Sequence, residues 1–418
     1  MNDRVFTCFG VSPDSPEWLD WKWQYRHRIT GADRLSEIVT LSDEEKKDVA
    51  ACLNGFRMAI TPYYASLIDP SDPCCPIRMQ AIPSIDETRV FPWEKRDPLD
   101  EEADSPVPHI VHRYPDRVLF LVTRQCAMYC RHCVRKRNVG EEDFVISKAE
   151  KAEAINYIAR TPQIRDVLIS GGDPLMMDDG ELEDIVARLR TIGHVDVIRI
   201  GTRAPAALPM RVTPDLLAML KRYHPLWMNT HFNHPRELTT SSIKACSDIV
   251  DAGIPLGNQS VLLRNINDNV ETMKELLLGL VKARVRPYYL YQCDLCEGIE
   301  HFRARVETGV EIIRSLTGHI SGFAIPKFVI DAPDGGGKVP VSPEYILSMD
   351  DKKVEMKNYK GSIYTYPQPE HVAPAKQAAP AKQAAPTKQV APVKPVVPAK
   401  QVAPVKHAPA KHVAPVKS

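Results

Sequence analysis

Three cysteines crowd into eight residues, "CAMYCRHC", as Cys126, Cys130 and Cys133, with no fourth close by. Thiolates gathered this tightly select soft metals. Zinc needs a fourth ligand, and His132, lying between two of the cysteines, supplies one only awkwardly. A purely structural thiol group is a further reading. Three thiolates suit a [4Fe–4S] cluster better, because the cubane then keeps one iron open for a substrate or cofactor.

Two glycine-rich runs carry further candidate chemistry. "LISGGDP", Leu168 to Pro174, sets Asp173 directly after Gly171 and Gly172, a pattern that taken alone is an ordinary turn. "VIDAPDGGGKVPV" places Asp331 and Lys338 on either side of three glycines. A flexible turn beside a solvated lysine would look the same. Glycine, however, lets backbone approach a planar ring or a phosphate closely, and a lysine amine forms a Schiff base with pyridoxal phosphate. In "YQCDLCEG", Cys293 and Cys296 flank Asp294 and read as packing residues rather than a redox pair. Cys74 and Cys75, as neighbours, also read as structural.

These groups need elements to hold them. From Arg117 onward, the apolar runs "RVLFLVT", "DVLISGGD", "VDVIRIG", "LWMNTHF", "IPLGNQSVLL" and "VRPYYLY" alternate with stretches of helical periodicity such as "KAEAINYIART", "GELEDIVARLRTI" and "VETMKELLLGLVKA". That rhythm means parallel strands with right-handed crossovers. About six repeats predict an incomplete (β/α) barrel, with its chemistry at the strand C-termini. The three cysteines directly follow the first strand. The N-terminal hundred residues look helical, and Ser42 with Glu45 three positions on forms a capping box. The stretch 373–418 holds eight lysines and no acid, with Pro-x-Lys recurring about every sixth residue. Such a composition builds no core and predicts a solvated, disordered tail. Without the tail, a net charge of +1 becomes about −7, so nucleic acid is not an expected partner.

The 418 residues are 44% hydrophobic, enough for one large core or two ordinary ones. No run approaches the ~18 apolar residues of a membrane span, and the start shows no leader pattern. Ten scattered cysteines fit reduced thiols, so a cytoplasmic protein is expected.

With its first and second strands so occupied, the chain resembles the radical S-adenosylmethionine superfamily. "CAMYCRHC", "LISGGDP", "THFNHP", "LGNQSVLLRN", "RPYYLYQCDL", "FVIDAP" and "GGGK", in that order, make it similar to the lysine 2,3-aminomutases, from the N-terminal region to about Pro367. The resemblance implies an α/β fold: a partial (β/α)6-type radical SAM barrel with a helical N-terminal region. The expected boundaries are 1–110 for the helical region, 111–340 for the barrel, 341–370 for a C-terminal extension and 371–418 for the tail.

It also implies roles. Cys126, Cys130 and Cys133 hold the [4Fe–4S] cluster. Gly171, Gly172, Asp173 and Gln259 lie among the cofactor contacts, with Asp173 meeting the amino group of S-adenosylmethionine. Lys338 carries pyridoxal 5′-phosphate and Arg113 helps bind it. Arg135 pairs with the substrate carboxylate, and Asp294 and Asp331 grip the distal ammonium of lysine. Related glutamate enzymes carry a cationic and an amide residue at those two positions, so two aspartates favour lysine, with arginine as the nearer rival. The reaction implied is a radical 1,2-amino shift between L-lysine and L-β-lysine, with flavodoxin or ferredoxin as electron donor and a homo-oligomeric enzyme. A second function class is a radical enzyme linked to modification of a protein lysine, as in shorter relatives; the long N-terminal region argues for the first.

One departure stands out. Many lysine enzymes bind a structural zinc between subunits through a cysteine in the "RNINDNV" region and a Cys-rich C-terminal segment. Here Asn269 stands at that first position, and no cysteine follows Pro369. No structural zinc is expected.

Overall fold

The computed structural model describes residues 2–139 and 145–369. The expected disordered tail lies outside the described residues. A nine-stranded sheet runs in sequence order through β1 (Ile110–Tyr114), β2 (Arg117–Thr123), β3 (Asp166–Gly171), β4 (Val197–Gly201), β5 (Leu226–Thr230), β6 (Leu256–Leu262), β7 (Arg286–Gln292), β8 (Lys327–Ala332) and β9 (Gly337–Pro340). Strands β2 to β8 pair parallel, while β1 and β9 close the two edges antiparallel. The edges do not pair with each other, so the barrel is incomplete.

The six apolar runs of the sequence are β2 to β7. "FVIDAP", which the sequence singles out only as a motif, supplies a seventh parallel strand. It is a further repeat: the helix Val306–Leu316 precedes it, and Phe328 and Val329 are buried. Side chains alternate across a strand, and burial follows that period. Phe120, Val167, Ile169, Ile198 and Ile200 face the helical shell and are buried, whereas Leu119, Leu168, Ser170 and Arg199 line the interior cavity.

Several crossover helices start where side chains cap them. Ser147 and Glu150 form a capping box for Lys148–Ala159. Asn269 caps Val270–Lys282, its side chain accepting from Thr272 N at 2.9 Å. That cap typically contributes ~1 kcal/mol and gives Asn269 a local structural role. The Ser42–Glu45 box is present on Asp43–Cys52. "PEWLDWKWQYRHRI" forms two short helices, Pro16–Leu19 and Trp21–Arg26, because Asp20 caps the second one and ends the first.

The N-terminal helices share the barrel's core, which is one cluster running from Val5 to Phe328. Thr61 donates to the Ala207 carbonyl at 2.6 Å and Tyr64 to Glu237 at 2.8 Å, both across to the barrel. Beyond β9, a separate antiparallel sheet comprises β10 (Ile346–Met349), β11 (Lys353–Lys357) and β12 (Ile363–Pro367). Ile346, Leu347, Met349, Ile363, Tyr364 and Tyr366 are all exposed. Adjacent residues point to opposite faces, so apolar groups are bare on both sides of this sheet.

Candidate active site

The strand C-termini surround a cavity of about 490 Å³. All twelve residues singled out from the sequence line it, although they span positions 113 to 338. The cysteine loop leaves the end of β2 and is braced from the N-terminal region. Arg131, fully buried, donates to both carboxylate oxygens of Glu87 at 2.8 and 2.6 Å and to the Arg57 carbonyl at 2.8 Å. Tyr129 N bonds the Ala59 carbonyl, and Arg28 the Cys126 carbonyl at 2.6 Å. Burial pushes the Cys126 thiol well up and the Cys133 thiol up to about 11, so metal loading must displace protons there.

Among the described residues, no three His, Cys, Asp or Glu side chains converge on a single ion position. A cubane asks for something else, since each thiolate binds its own iron. Three thiols on one cavity wall fit that demand, and the remaining wall offers room for a group on the fourth iron.

The glycines of "LISGGDP" are required by backbone packing. Gly171 has φ +124°, and a Cβ there would lie 2.3 Å from the Thr123 carbonyl oxygen; one on Gly172 would lie 2.3 Å from that of Gln125. Gly172 N and Asp173 N donate to those same carbonyls at 2.6 and 2.7 Å, clamping the run to the start of the cysteine loop. Asp173 is buried and accepts from Thr202 Oγ1 at 2.7 Å, Arg203 N at 2.8 Å and Leu175 N at 3.0 Å. Burial raises its pKa, against those donors. Its carboxylate thus organises the ends of β3 and β4 besides lining the cavity.

Across the cavity, strand register decides the rest. Asp331 on β8 is the direct partner of Lys338 on β9, and Lys338 Nζ lies 3.1 Å from Asp331 Oδ1. Tyr114 takes the Lys338 N–H on its hydroxyl at 2.9 Å. Arg113 donates through Nε to Asp104 at 2.7 Å and through Nη2 to the Leu99 carbonyl, and it lies beside the glycine loop, 3.9 Å from where a Gly335 Cβ would sit. A lysine amine, a tyrosine hydroxyl and an arginine next to bare glycine backbone suit an aldehyde cofactor with a phosphate arm. Gln259 donates to the Tyr291 hydroxyl at 3.1 Å.

Asp294 follows β7 and receives no hydrogen bond among the described residues. Burial first, and the neighbouring Asp331 second, push its carboxyl up to about 7, while Lys338 and Arg135 pull the other way. Two carboxylates sharing a buried wall with one lysine form a site short of positive charge. Arg135, expected to meet a carboxylate, is paired with Glu101: Nη2 to Oε1 at 2.6 Å and Nε to the two oxygens at 3.1 and 3.2 Å.

Glu101 was not legible from the sequence, and neither was Arg203. The latter is buried and donates to Cys130 Sγ and Gln80 Oε1 at 2.6 Å and to Glu237 at 2.7 Å. Burial disfavours its charge, yet the surrounding acceptors hold its pKa above the usual value. His231, in "THFNHP", lines the cavity with its pKa lowered by burial to about 3, so it is neutral.

The chain is similar to known proteins over most of its length. The family model described as Radical SAM superfamily matches residues 120–277, and that described as Lysine-2,3-aminomutase matches 313–395. The chain is 55% identical over 374 residues to the L-lysine 2,3-aminomutase of Clostridium subterminale, covering 90% of both. It is 52% identical to that of Bacillus subtilis, covering 86% of this chain and 77% of that one. It is 46% identical to the glutamate 2,3-aminomutase of Clostridioides difficile, covering 83% of this chain and 82% of the relative. This chain belongs to the lysine 2,3-aminomutase family of radical SAM enzymes.

Proposed function

We propose that the enzyme interconverts L-lysine and L-β-lysine by a radical 1,2-amino shift. The observation that carries the choice of lysine is the pair Asp294 and Asp331, two carboxylates lining one cavity, with no hydrogen-bond donor to the Asp294 carboxylate among the described residues. A cationic side chain answers that deficit, and a second carboxylate would be repelled.

In this reading Cys126, Cys130 and Cys133 would hold a [4Fe–4S] cluster, with Gly171, Gly172, Asp173 and Gln259 near S-adenosylmethionine. Lys338 and Arg113 would hold pyridoxal phosphate. When bound, these groups supply a hydrogen-abstracting radical and a π system through which an amino group can cross between adjacent carbons. The chain's own residues set the geometry. Arg135 orients the α-carboxylate and Asp294 and Asp331 fix the far ammonium, so the substrate is held at both ends and C2 and C3, next to the carboxylate, are fixed in place. Buried walls around β2 to β8 exclude water and stray hydrogen donors, which a radical requires.

Oligomerisation is supported by the β10–β12 sheet, which leaves several apolar residues bare on both faces. An external one-electron donor such as flavodoxin or ferredoxin completes the scheme. Ten free cysteines fit a reducing, cytoplasmic setting, and no helix among the described residues is long and apolar enough to cross a membrane. The test is an anaerobic assay of the reconstituted enzyme with lysine, arginine and glutamate. Lysine should be turned over fastest; preference for either competitor refutes the assignment.

A further inference from the structure

Glu101 lies in the segment linking the N-terminal helices to β1, with no motif around it, yet its carboxylate is almost fully buried against the cavity. It takes one side of the Arg135 guanidinium, the Nε–Nη2 edge, with three contacts between 2.6 and 3.2 Å. Arg135 Nη1 has no partner among the described residues, and Arg135 lines the cavity. A guanidinium presents two edges suited to a carboxylate, the side and the end. With the side taken, the end formed by Nη1 and Nη2 is what remains to receive a ligand.

The charges around it are nearly balanced. Glu101 also meets Arg137 at 3.3 Å, and Arg137 is held in turn by Asp97 at 2.9 Å. Glu102 also lies 3.6 Å from Arg137 Nε, so three acids face two arginines before any substrate enters. A site of this kind attracts a carboxylate by directed hydrogen bonds rather than by surplus positive charge. Its grip then depends on the angle at which the guanidinium is held, since misalignment loses the paired geometry.

We infer that Glu101 is a positioning residue for substrate recognition: by gripping the Nε–Nη2 edge of Arg135, it presents the Nη1–Nη2 edge to the substrate's α-carboxylate. This rests on the reading that Arg135 binds that carboxylate. The opposite role, a carboxylate that competes with the substrate for Arg135, would require Glu101 to occupy the end of the guanidinium, and the contacts through Nε argue against it.

Glu101→Gln preserves shape while removing the charge and setting an amide N–H against Arg135 donors. Arg137 loses its 3.3 Å contact with Glu101 but keeps Asp97 at 2.9 Å, whereas Arg135 loses its sole carboxylate partner among the described residues. The experiment titrates the holoenzyme, loaded with cluster, S-adenosylmethionine and pyridoxal phosphate, with lysine and with 1,5-diaminopentane, which is lysine without its α-carboxylate. Binding is followed by the change in cofactor absorbance. Glu101→Gln should raise the Kd of lysine about tenfold, the loss expected for one hydrogen-bonded charge partner, and leave that of the diamine within about twofold. Glu101→Asp, which keeps the charge on a shorter arm, should fall between wild type and Glu101→Gln, and serves if the amide variant folds poorly. Unchanged or tighter lysine binding overturns the proposal, as does an equal loss for both ligands. Arg135→Lys separates the two ways of failing. If it does not weaken lysine selectively over the diamine, the carboxylate assignment of Arg135 is wrong; if it does and Glu101→Gln does not, the positioning role alone falls.

Discussion

Asp294→Asn should make the protein more stable and the enzyme worse, and both effects can be sized. Its carboxyl is held at about 7 against an ordinary 3.8, chiefly by burial and then by Asp331. At about 1.4 kcal/mol per tenfold in proton affinity, keeping the charge there costs at most about 4 kcal/mol, with water in the cavity screening part of it. The sign follows from the two values. The unfolded chain gives up this proton near 3.8, whereas the native state keeps it to about 7. The penalty thus grows as pH rises between those values and is complete above the upper one. Asparagine removes it, so in thermal denaturation of unreconstituted protein the variant should exceed wild type clearly at pH 8 and by less than half as much at pH 5. Turnover should move the other way. A buried ammonium that loses one of two partners forfeits ~2–5 kcal/mol, or roughly 30-fold to several-thousand-fold in lysine kcat/KM. Iron content and the cofactor on Lys338 should be retained. Near-wild-type lysine turnover with cofactors bound, or a gain in stability over wild type no larger at pH 8 than at pH 5, would refute the reasoning.

Three further outcomes are expected. Anaerobically reconstituted protein should carry about four irons per chain, and Cys130→Ala should lose cluster and activity together; a full cluster in that variant would reject the thiol assignment. Borohydride should trap pyridoxal phosphate on Lys338, checked by peptide mapping, and label on another lysine would exclude this site. Lysine kcat/KM should rise with pH through about 7, because Asp294 must be ionised to pair with an ammonium. Asp294→Asn should abolish that break; the same profile in both proteins would assign the titration elsewhere.

The sequence by itself determined the chemistry-bearing groups and the order of the elements that carry them. Cysteine spacing is local, so "CAMYCRHC" marks a candidate three-thiolate site without any folding. The alternation of apolar runs with helical stretches is likewise a periodicity of neighbouring residues, and it yields β2 to β7 and the crossover helices between them. Ser42 and Glu45 could be paired because a capping box spans three positions. What the tertiary structure alone decided is who neutralises whom. Lys338 meets Asp331 because β9 turns back antiparallel on β8 and brings the two into register. Arg135 meets Glu101 from 34 positions away, and Cys130 meets Arg203 from 73. Glu101 and Arg203 carry no local signal, since a charged residue in a connecting segment looks like any solvated one until the fold buries it. Burial is a property of the assembled core, and it is burial that turns Asp294 from an ordinary aspartate into a carboxyl held near 7, awaiting a cation.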